Sequence, residues 1–121
     1  KQQKFFEKEL ANFVERMQKE YPGTTLHGKF TSPPKPFTNE TKKIANGILA
    51  CAKELGIKNI GLVDSGGASD GNKLHGFGLP NMDALGPVGD GMHSRDEMIH
   101  MESLKNRAKM SALYLKKITE E

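Results

Sequence analysis

Apolar side chains recur at helical spacing along residues 1–21, before a Pro-Gly pair. Four of them lie at successive intervals of four, three and four positions: Phe6, Leu10, Phe13 and Met17. A period of about 3.6 residues predicts an amphipathic helix that buries this face. We expect the helix to begin at Lys1 and to end at Pro22 and Gly23, because both residue types interrupt helices.

Three further helices are predicted along the chain. Residues 38–55 form one, with Thr38 or Asn39 as its N-cap and Gly56 in the left-handed position after its end. Its expected buried face comprises Ile44, Ile48, Cys51, Ala52 and Leu55. Residues 69–77 form a short helix, and residues 102–118 form the last one. The expected inward face of the last helix comprises Leu104, Ala108, Ser111, Leu115 and Ile118.

Short segments of strand-forming residues lie between these helices. We predict strands at residues 24–31, 58–63 and 81–85, the second of them buried. Glycine-rich segments follow the last two, and the one at residues 86–97 is expected to be a long irregular loop. From residue 38 onward, helices alternate with strands, which is typical of an α/β layer with mostly parallel strands.

The segment at residues 32–36 (SPPKP) is the strongest candidate for a domain boundary. Its prolines cannot donate hydrogen bonds to a sheet, and they hold the chain extended. We therefore divide the chain into residues 1–31, a proline hinge at 32–37, and residues 38–121.

Composition excludes several classes of protein. Apolar residues make up 36% of the chain, and no apolar run reaches the ~18 residues of a membrane-spanning helix. The net charge is +3, but lysines are mixed with glutamates along helices, so we expect no nucleic-acid partner. The single cysteine, Cys51, excludes an intramolecular disulfide framework and suits a reducing compartment, which favours a cytoplasmic protein.

The first candidate for chemistry is the turn at residues 65–72 (SGGASDGN), which leaves a predicted strand and enters a predicted helix. Glycines let a ligand approach the backbone, and free N–H groups before a helix attract a carboxylate or phosphate. The same residues also suit a plain tight turn in which Ser69 or Asp70 caps the helix. Spacing alone leaves both interpretations open.

The second candidate is His93, in a glycine-flanked loop with carboxylates nearby. Such a histidine suits a metal ligand or an acid/base group, although a lone loop histidine is commonly an ordinary surface residue. A closed zinc site needs several protein ligands, and His27, His75 and His100 are expected to be structural or solvated. Any metal at His93 would therefore need co-ligands from elsewhere.

Taken together, these segments resemble the C-terminal end of a zinc metallopeptidase family. The resemblance is carried by residues 65–72, by 78–80 (GLP), by 85–94 (LGPVGDGMHS), and by Glu97 and the closing helix. The family, metallopeptidase family twenty, includes glutamate carboxypeptidase, succinyl-diaminopimelate desuccinylase and aminoacylase, and the glutamate carboxypeptidase-like branch is the most similar. The resemblance extends from Pro33 to Ile118 and is weaker over residues 1–31.

The resemblance implies an α/β fold in which a zinc-binding catalytic domain is interrupted by an α/β lid that often mediates dimerisation. Residues 1–31 would be the last helix and strand of that lid, and residues 38–121 would be the C-terminal portion of the catalytic domain. The chain would then be a fragment, inactive without the remainder of the parent chain, and the parent would form a homodimer.

The resemblance also implies residue roles and a reaction. His93 matches the last ligand of a two-zinc site, with cobalt or manganese as alternative metals, and Gly66, Gly67 and Ala68 match the turn whose backbone contacts the substrate carboxylate. The reaction would be hydrolysis of an amide bond by metal-activated water, on a peptide or N-acyl amino acid with a free carboxylate. The general base and the other ligands are expected upstream, so no catalytic residue is assigned here. Some relatives carry arginine near Ser32, for which Lys29 or Lys35 could substitute.

Two other interpretations remain open. The chain could be a stand-alone α/β module that binds an anion at residues 66–68, with His93 as a surface residue and no catalytic metal. It could also be a structural interaction domain in which neither segment faces a cleft.

Overall fold

Four helices and one short β-hairpin make up the regular structure of the described part of the chain. The computed structural model describes residues 2–28 and 30–120. Three residues lie outside the described part: Lys1, Lys29 and Glu121. The expected helix start at Lys1, the part of the first predicted strand at Lys29 and the possible role of Lys29 are therefore not described. The elements are α1 (Gln2–Glu20), α2 (Asn39–Glu54), α3 (Asp70–Gly76), β1 (Gly89–Asp90), β2 (Met98–Ile99) and α4 (Met101–Thr119).

The chain divides into two units, Lys1–Phe30 and Thr31–Glu121. The division falls immediately before the proline segment. The interpretation of the units as parts of a lid and of a catalytic domain stays a prediction.

The helix predicted in the first unit is confirmed as α1, but its apolar face is not buried. α1 has no buried residue, and Phe6 and Phe13 are 57% and 48% exposed. Phe6 packs edge-to-face against Phe30, with ring centroids 5.9 Å apart. The spacing identified an amphipathic helix correctly, but spacing alone does not show whether the unit supplies enough surface to cover that face.

The core of the second unit lies between α2 and α4. Its buried side chains are Ile48, Cys51, Ala52 and Met110. At Gly47 the two helices approach closely, because a Cβ atom there would lie 2.6 Å from Cε2 of Tyr114. Three of the buried residues belong to the predicted face of α2, whereas Leu55 at its end is 40% exposed.

The predicted inward face of α4 is wrong. Leu104, Leu115 and Ile118 are 43%, 58% and 47% exposed, and the residue that is fully buried is Met110. Leu113 and Tyr114 pack beside Met110. The helix carries two apolar stripes, and only its contact with α2 decides which of them is buried. Helical periodicity does not distinguish them.

All three predicted strands are absent from the described residues. Segments 24–28 with 30–31, 58–63 and 81–85 have no strand pairing, and Val63 in the supposedly buried second strand is 88% exposed. Among the described residues, the only strand pairing is antiparallel, between β1 and β2. It lies in the segment that the sequence predicts to be an irregular loop. Strand-forming residues favour extended backbone, but a strand also needs a neighbour for its N–H and C=O groups, and the predicted parallel layer finds none here. The coarse α/β class holds, as a mixture of helices and one hairpin.

None of the helices in the described part of the chain is long and apolar enough to cross a membrane.

Candidate functional site

His93 lies in the loop that joins the two strands of the hairpin. The loop is cross-linked by Ser94: its hydroxyl donates to the carbonyl of Gly91 over 2.7 Å and accepts the N–H of Asp96 over 3.1 Å. The backbone N–H of His93 donates to Oε2 of Glu97 at 3.3 Å. These bonds hold the backbone of His93 in the left-handed region, with φ of 66°. A non-glycine residue in that region is uncommon and is maintained only when its surroundings determine it.

The start of α4 braces the base of the hairpin. Val88 N–H donates to Oγ of Ser103 at 2.8 Å, and His100 N–H donates to the Val88 carbonyl at 2.9 Å. The ring of His100 is also engaged, with Nε2 3.0 Å from Oδ2 of Asp90. His100 thus contacts the hairpin through its ring while remaining partly exposed, within the structural or solvated role that the sequence predicted. The ring of His93, in contrast, is exposed and has no hydrogen-bond partner among residues 2–28 and 30–120.

The glycine turn lies on the surface immediately before α3. Gly67 N–H donates to Oγ of Ser65 at 3.2 Å, so one amide of the turn is already satisfied within it. The N–H groups of Gly66 and Ala68 donate to no acceptor in the described chain, and the space around Gly66 is open. The turn therefore presents two free donors to the solvent.

Ser69 is the helix cap, as one of the two interpretations of this turn predicted. Its hydroxyl accepts the N–H of Gly71, and its own N–H donates to Oδ1 of Asn72 at 2.9 Å, which completes a capping box. Asp70 pairs instead with Lys73 on the helix surface. Capping occupies Ser69 and Asn72 but leaves the amides of Gly66 and Ala68 free, so both interpretations of the turn are compatible.

Behind the turn lies a polar cluster that ties three segments of the chain together. Nζ of Lys35 lies 2.6 Å from Oδ2 of Asp83, and the same oxygen accepts the hydroxyl of Ser69. The amide of Asn81 donates to the Gly71 carbonyl at 3.0 Å. Together these bonds connect the proline segment, the start of α3 and the extended segment at 81–85.

The positive charge of Lys35 is balanced within this cluster by the Asp83 carboxylate. Its side chain is only 16% exposed, and its ammonium group donates to Asp83. A buried ammonium group needs such a partner, because desolvation of an unpaired charge is costly. Lys35, one of the two residues considered as a substitute for a substrate-binding arginine, is therefore paired with a carboxylate of its own chain.

The pKa of the Asp83 carboxyl group is held below its ordinary value by hydrogen bonds from Lys35 and Ser69. A carboxyl group whose pKa is lowered in the folded state stabilises the protein at pH values above its unfolded pKa of about 4. That contribution is lost as the pH falls through the pKa of the folded state. We predict that the difference in unfolding free energy between the natural protein and Asp83→Asn is constant near neutral pH and shrinks below about pH 4.

Urea denaturation at a series of pH values measures this difference. Asp70→Asn is the matched control, because Asp70 is 92% exposed and its one ion pair within the described residues is with Lys73, across one turn of α3. Its effect should be small at every pH. A difference for Asp83→Asn that does not change between pH 6 and pH 2 would contradict the prediction.

The structure does not join the two candidate segments directly. No hydrogen bond or ion pair of the described residues links His93 to residues 66–68, and no group of three or more His, Cys, Asp or Glu side chains within residues 2–28 and 30–120 could hold a metal. His93 alone offers one imidazole, which is one ligand of the several that a stable metal site requires. The donor type fits a metal, but the number of donors here does not complete a site.

Comparison with known families decides the broader assignment. The sequence model of peptidase family M20/M25/M40 matches residues 22–117. The chain belongs to this family. Neither the comparison with curated proteins nor the comparison with solved structures gives a significant match.

Family membership makes the protein that carries this chain a peptidase-type hydrolase, and peptidases of this family are generally metal-dependent. The match covers both candidate segments, the glycine turn and the hairpin loop. It also begins at Pro22, within the first of the two units.

Sequence reasoning missed Asp83 and Asn81 as members of the site region. The nearest charged partner of Asp83 is Lys35, 48 positions away, and no periodicity or local motif relates positions so far apart. The glycine at position 71 was a possible signal, because a Cβ atom there would lie 2.8 Å from Oδ2 of Asp83. A glycine at that place indicates that other atoms occupy the space where a side chain would be.

Proposed function

We propose that these residues are the C-terminal part of a zinc-dependent amide hydrolase of the carboxypeptidase or N-acyl amino acid amidohydrolase type. The observation that carries the proposal is the unengaged imidazole of His93, held at positive φ on a hydrogen-bonded hairpin within a chain of this peptidase family. Strained backbone of this kind clusters at binding and catalytic sites.

His93 would serve as one metal ligand. Its neighbours leave it free for that role, because Glu97 accepts a bond from the backbone of His93, and Asp90 pairs with His100 instead. The remaining ligands and a general base would come from residues outside this chain. When bound, the metal would supply Lewis-acid polarisation of the amide carbonyl.

The glycine turn would bind the free carboxylate of the substrate. Gly66 and Ala68 offer backbone N–H donors in open space, and a carboxylate accepts such bonds strongly. Lys35 would not take part directly, because Asp83 already neutralises it. The proposed substrate class is the one that the resemblance implies, a peptide or N-acyl amino acid with a free carboxylate.

The test is metal content and activity of the intact protein that contains these residues. We expect His93→Ala to lose one metal ion per molecule, measured by mass spectrometry of the metal after dialysis, and to lose hydrolysis of N-acyl amino acids. Loss of a metal-bound imidazole removes a ligand, whereas second-sphere changes typically weaken metal binding about 10- to 100-fold.

His100→Ala is the matched control for this test. It removes an imidazole from the same hairpin region, but one that is bound to Asp90, so the metal content should stay that of the natural protein. Unchanged metal content and activity in His93→Ala would refute the role of His93 as a metal ligand. A natural protein with neither bound metal nor hydrolysis would favour the stand-alone anion-binding module. In that module, residues 66–68 would still bind a carboxylate.

A further inference from the structure

Asp83 lies at the centre of the polar cluster behind the glycine turn. One of its oxygens, Oδ2, accepts both the ammonium group of Lys35 and the hydroxyl group of Ser69. Lys35 also approaches Oδ1 of Asn81, at 3.4 Å. Charge-assisted bonds of this kind are shorter and stronger than bonds between neutral groups.

Ser69 transmits this arrangement to the turn. Its hydroxyl hydrogen is donated to Asp83, and its oxygen accepts the N–H of Gly71 at 3.1 Å. The hydroxyl group therefore both donates and accepts within the cluster. Ser69 directly follows Ala68, so these bonds anchor the end of the turn that carries the free amides.

A second set of bonds prevents the start of α3 from shifting. The side-chain amide of Asn72 donates to the carbonyl of Pro33 at 2.9 Å. Pro33 also fills the space beside Gly76, where a Cβ atom would lie 2.7 Å from its Cγ. Pro33 thus contacts α3 near both of its ends, through a hydrogen bond from Asn72 and through packing at Gly76. Lys35 extends from the same proline segment to Asp83.

From these contacts we infer that Asp83 and Lys35 are positioning residues for carboxylate recognition. Asp83, charged and paired with Lys35, holds Ser69 and so holds the free amides of Gly66 and Ala68 in the direction of the substrate carboxylate. Pairing also prevents Lys35 from acting as an ammonium ligand of that carboxylate. The inference rests on the proposed function. It adds that recognition of the substrate carboxylate depends on oriented backbone amides and not on a free lysine.

The experiment compares two substrates in the intact enzyme, an N-acyl amino acid and the same compound with its carboxylate replaced by a carboxamide. For Asp83→Asn and Lys35→Gln we expect KM for the carboxylate substrate to rise about 10-fold while kcat changes little, because misplaced amides weaken binding of the carboxylate. The neutral carboxamide accepts the same N–H bonds only weakly, so its KM should change much less. A role in stability alone would impair both substrates alike.

Two further variants sharpen the comparison. Lys35→Arg keeps a cation that can donate to Asp83, so it should restore much of the low KM. Lys73→Gln breaks the exposed pair with Asp70 on the same helix, where the side chains are 56% and 92% exposed, and should leave both substrates unchanged.

The outcomes separate this inference from the proposed function. If the natural enzyme hydrolyses and prefers the carboxylate substrate but Asp83→Asn impairs both substrates equally, the positioning role is wrong and the proposed function stands. If Asp83→Asn lowers KM for the carboxylate substrate, freed Lys35 binds the carboxylate directly, which also overturns the inference. If the natural enzyme neither hydrolyses these amides nor shows NMR shifts of the Gly66 and Gly67 amides when the N-acyl amino acid is added, the proposed function fails and this inference fails with it.

Discussion

Replacement of Gly91 by alanine should open the hairpin loop and weaken the metal binding proposed for His93, although the imidazole itself is unchanged. Gly91 has φ of 65°, and a Cβ atom there would lie 2.8 Å from the carbonyl oxygen of Asp96. The left-handed backbone alone costs an L-residue roughly 1–2 kcal/mol, and the close contact adds to that cost. A total of about 2 kcal/mol corresponds to a factor of about 30 in the population of the closed loop.

Two measurements check this result. Trypsin should cut the loop at Arg95 faster by about that factor, and the affinity of the intact protein for its metal should fall with it. Gly86→Ala is the matched control, since a Cβ atom at Gly86 would have no neighbour within 4 Å and its backbone lies outside the left-handed region. If Gly91→Ala resists trypsin like the natural protein, the loop does not depend on this glycine. If trypsin cuts Gly91→Ala faster and the variant still binds metal normally, the hairpin is not what positions His93.

Replacement of Met110 by alanine should cause the largest loss of stability. Met110 is completely buried and packs with Ile48, Cys51 and Ala52 between α2 and α4. Truncation of a buried methionine removes transfer free energy and leaves a cavity, with a typical cost of about 2–5 kcal/mol. The core here is small, so neighbouring side chains have few ways to refill that space.

Urea denaturation measures the loss, and Met101→Ala is its control. Met101 begins the same helix but is 69% exposed, so its truncation should change the unfolding free energy by less than about 0.5 kcal/mol. A loss below about 1 kcal/mol for Met110→Ala would show that the contact between α2 and α4 contributes little to the fold.

The helices and their ends were predictable because the signals that determine them are local. Thr38 accepts the N–H of Thr41 at the start of α2, and Gly56 has φ of 67° just after its end, as the sequence predicted. Ser69 likewise caps α3. Each of these contacts joins residues within a few positions of each other, so a short stretch of sequence contains all the information that it needs.

The candidate site was predictable only in its parts. The sequence singled out His93 and the turn at residues 66–68, and the structure gives each a local geometry suited to binding, but their roles remain predictions. The contacts that support these two segments could not be predicted from the sequence. They include the pair between Lys35 and Asp83, 48 positions apart, and the hydrogen bond between Val88 and Ser103, 15 positions apart.

By itself, the sequence determined four helices, the caps of α2 and α3, and the family of the protein. Only the tertiary structure decided which stripe of α4 is buried, that the predicted strands remain unpaired while β1 and β2 form a hairpin, and that Lys35 is neutralised by Asp83. The physical reason is the range of the interactions. A helix satisfies its hydrogen bonds within its own segment, whereas a strand, a buried face or an ion pair takes its form from a partner that the local sequence does not specify.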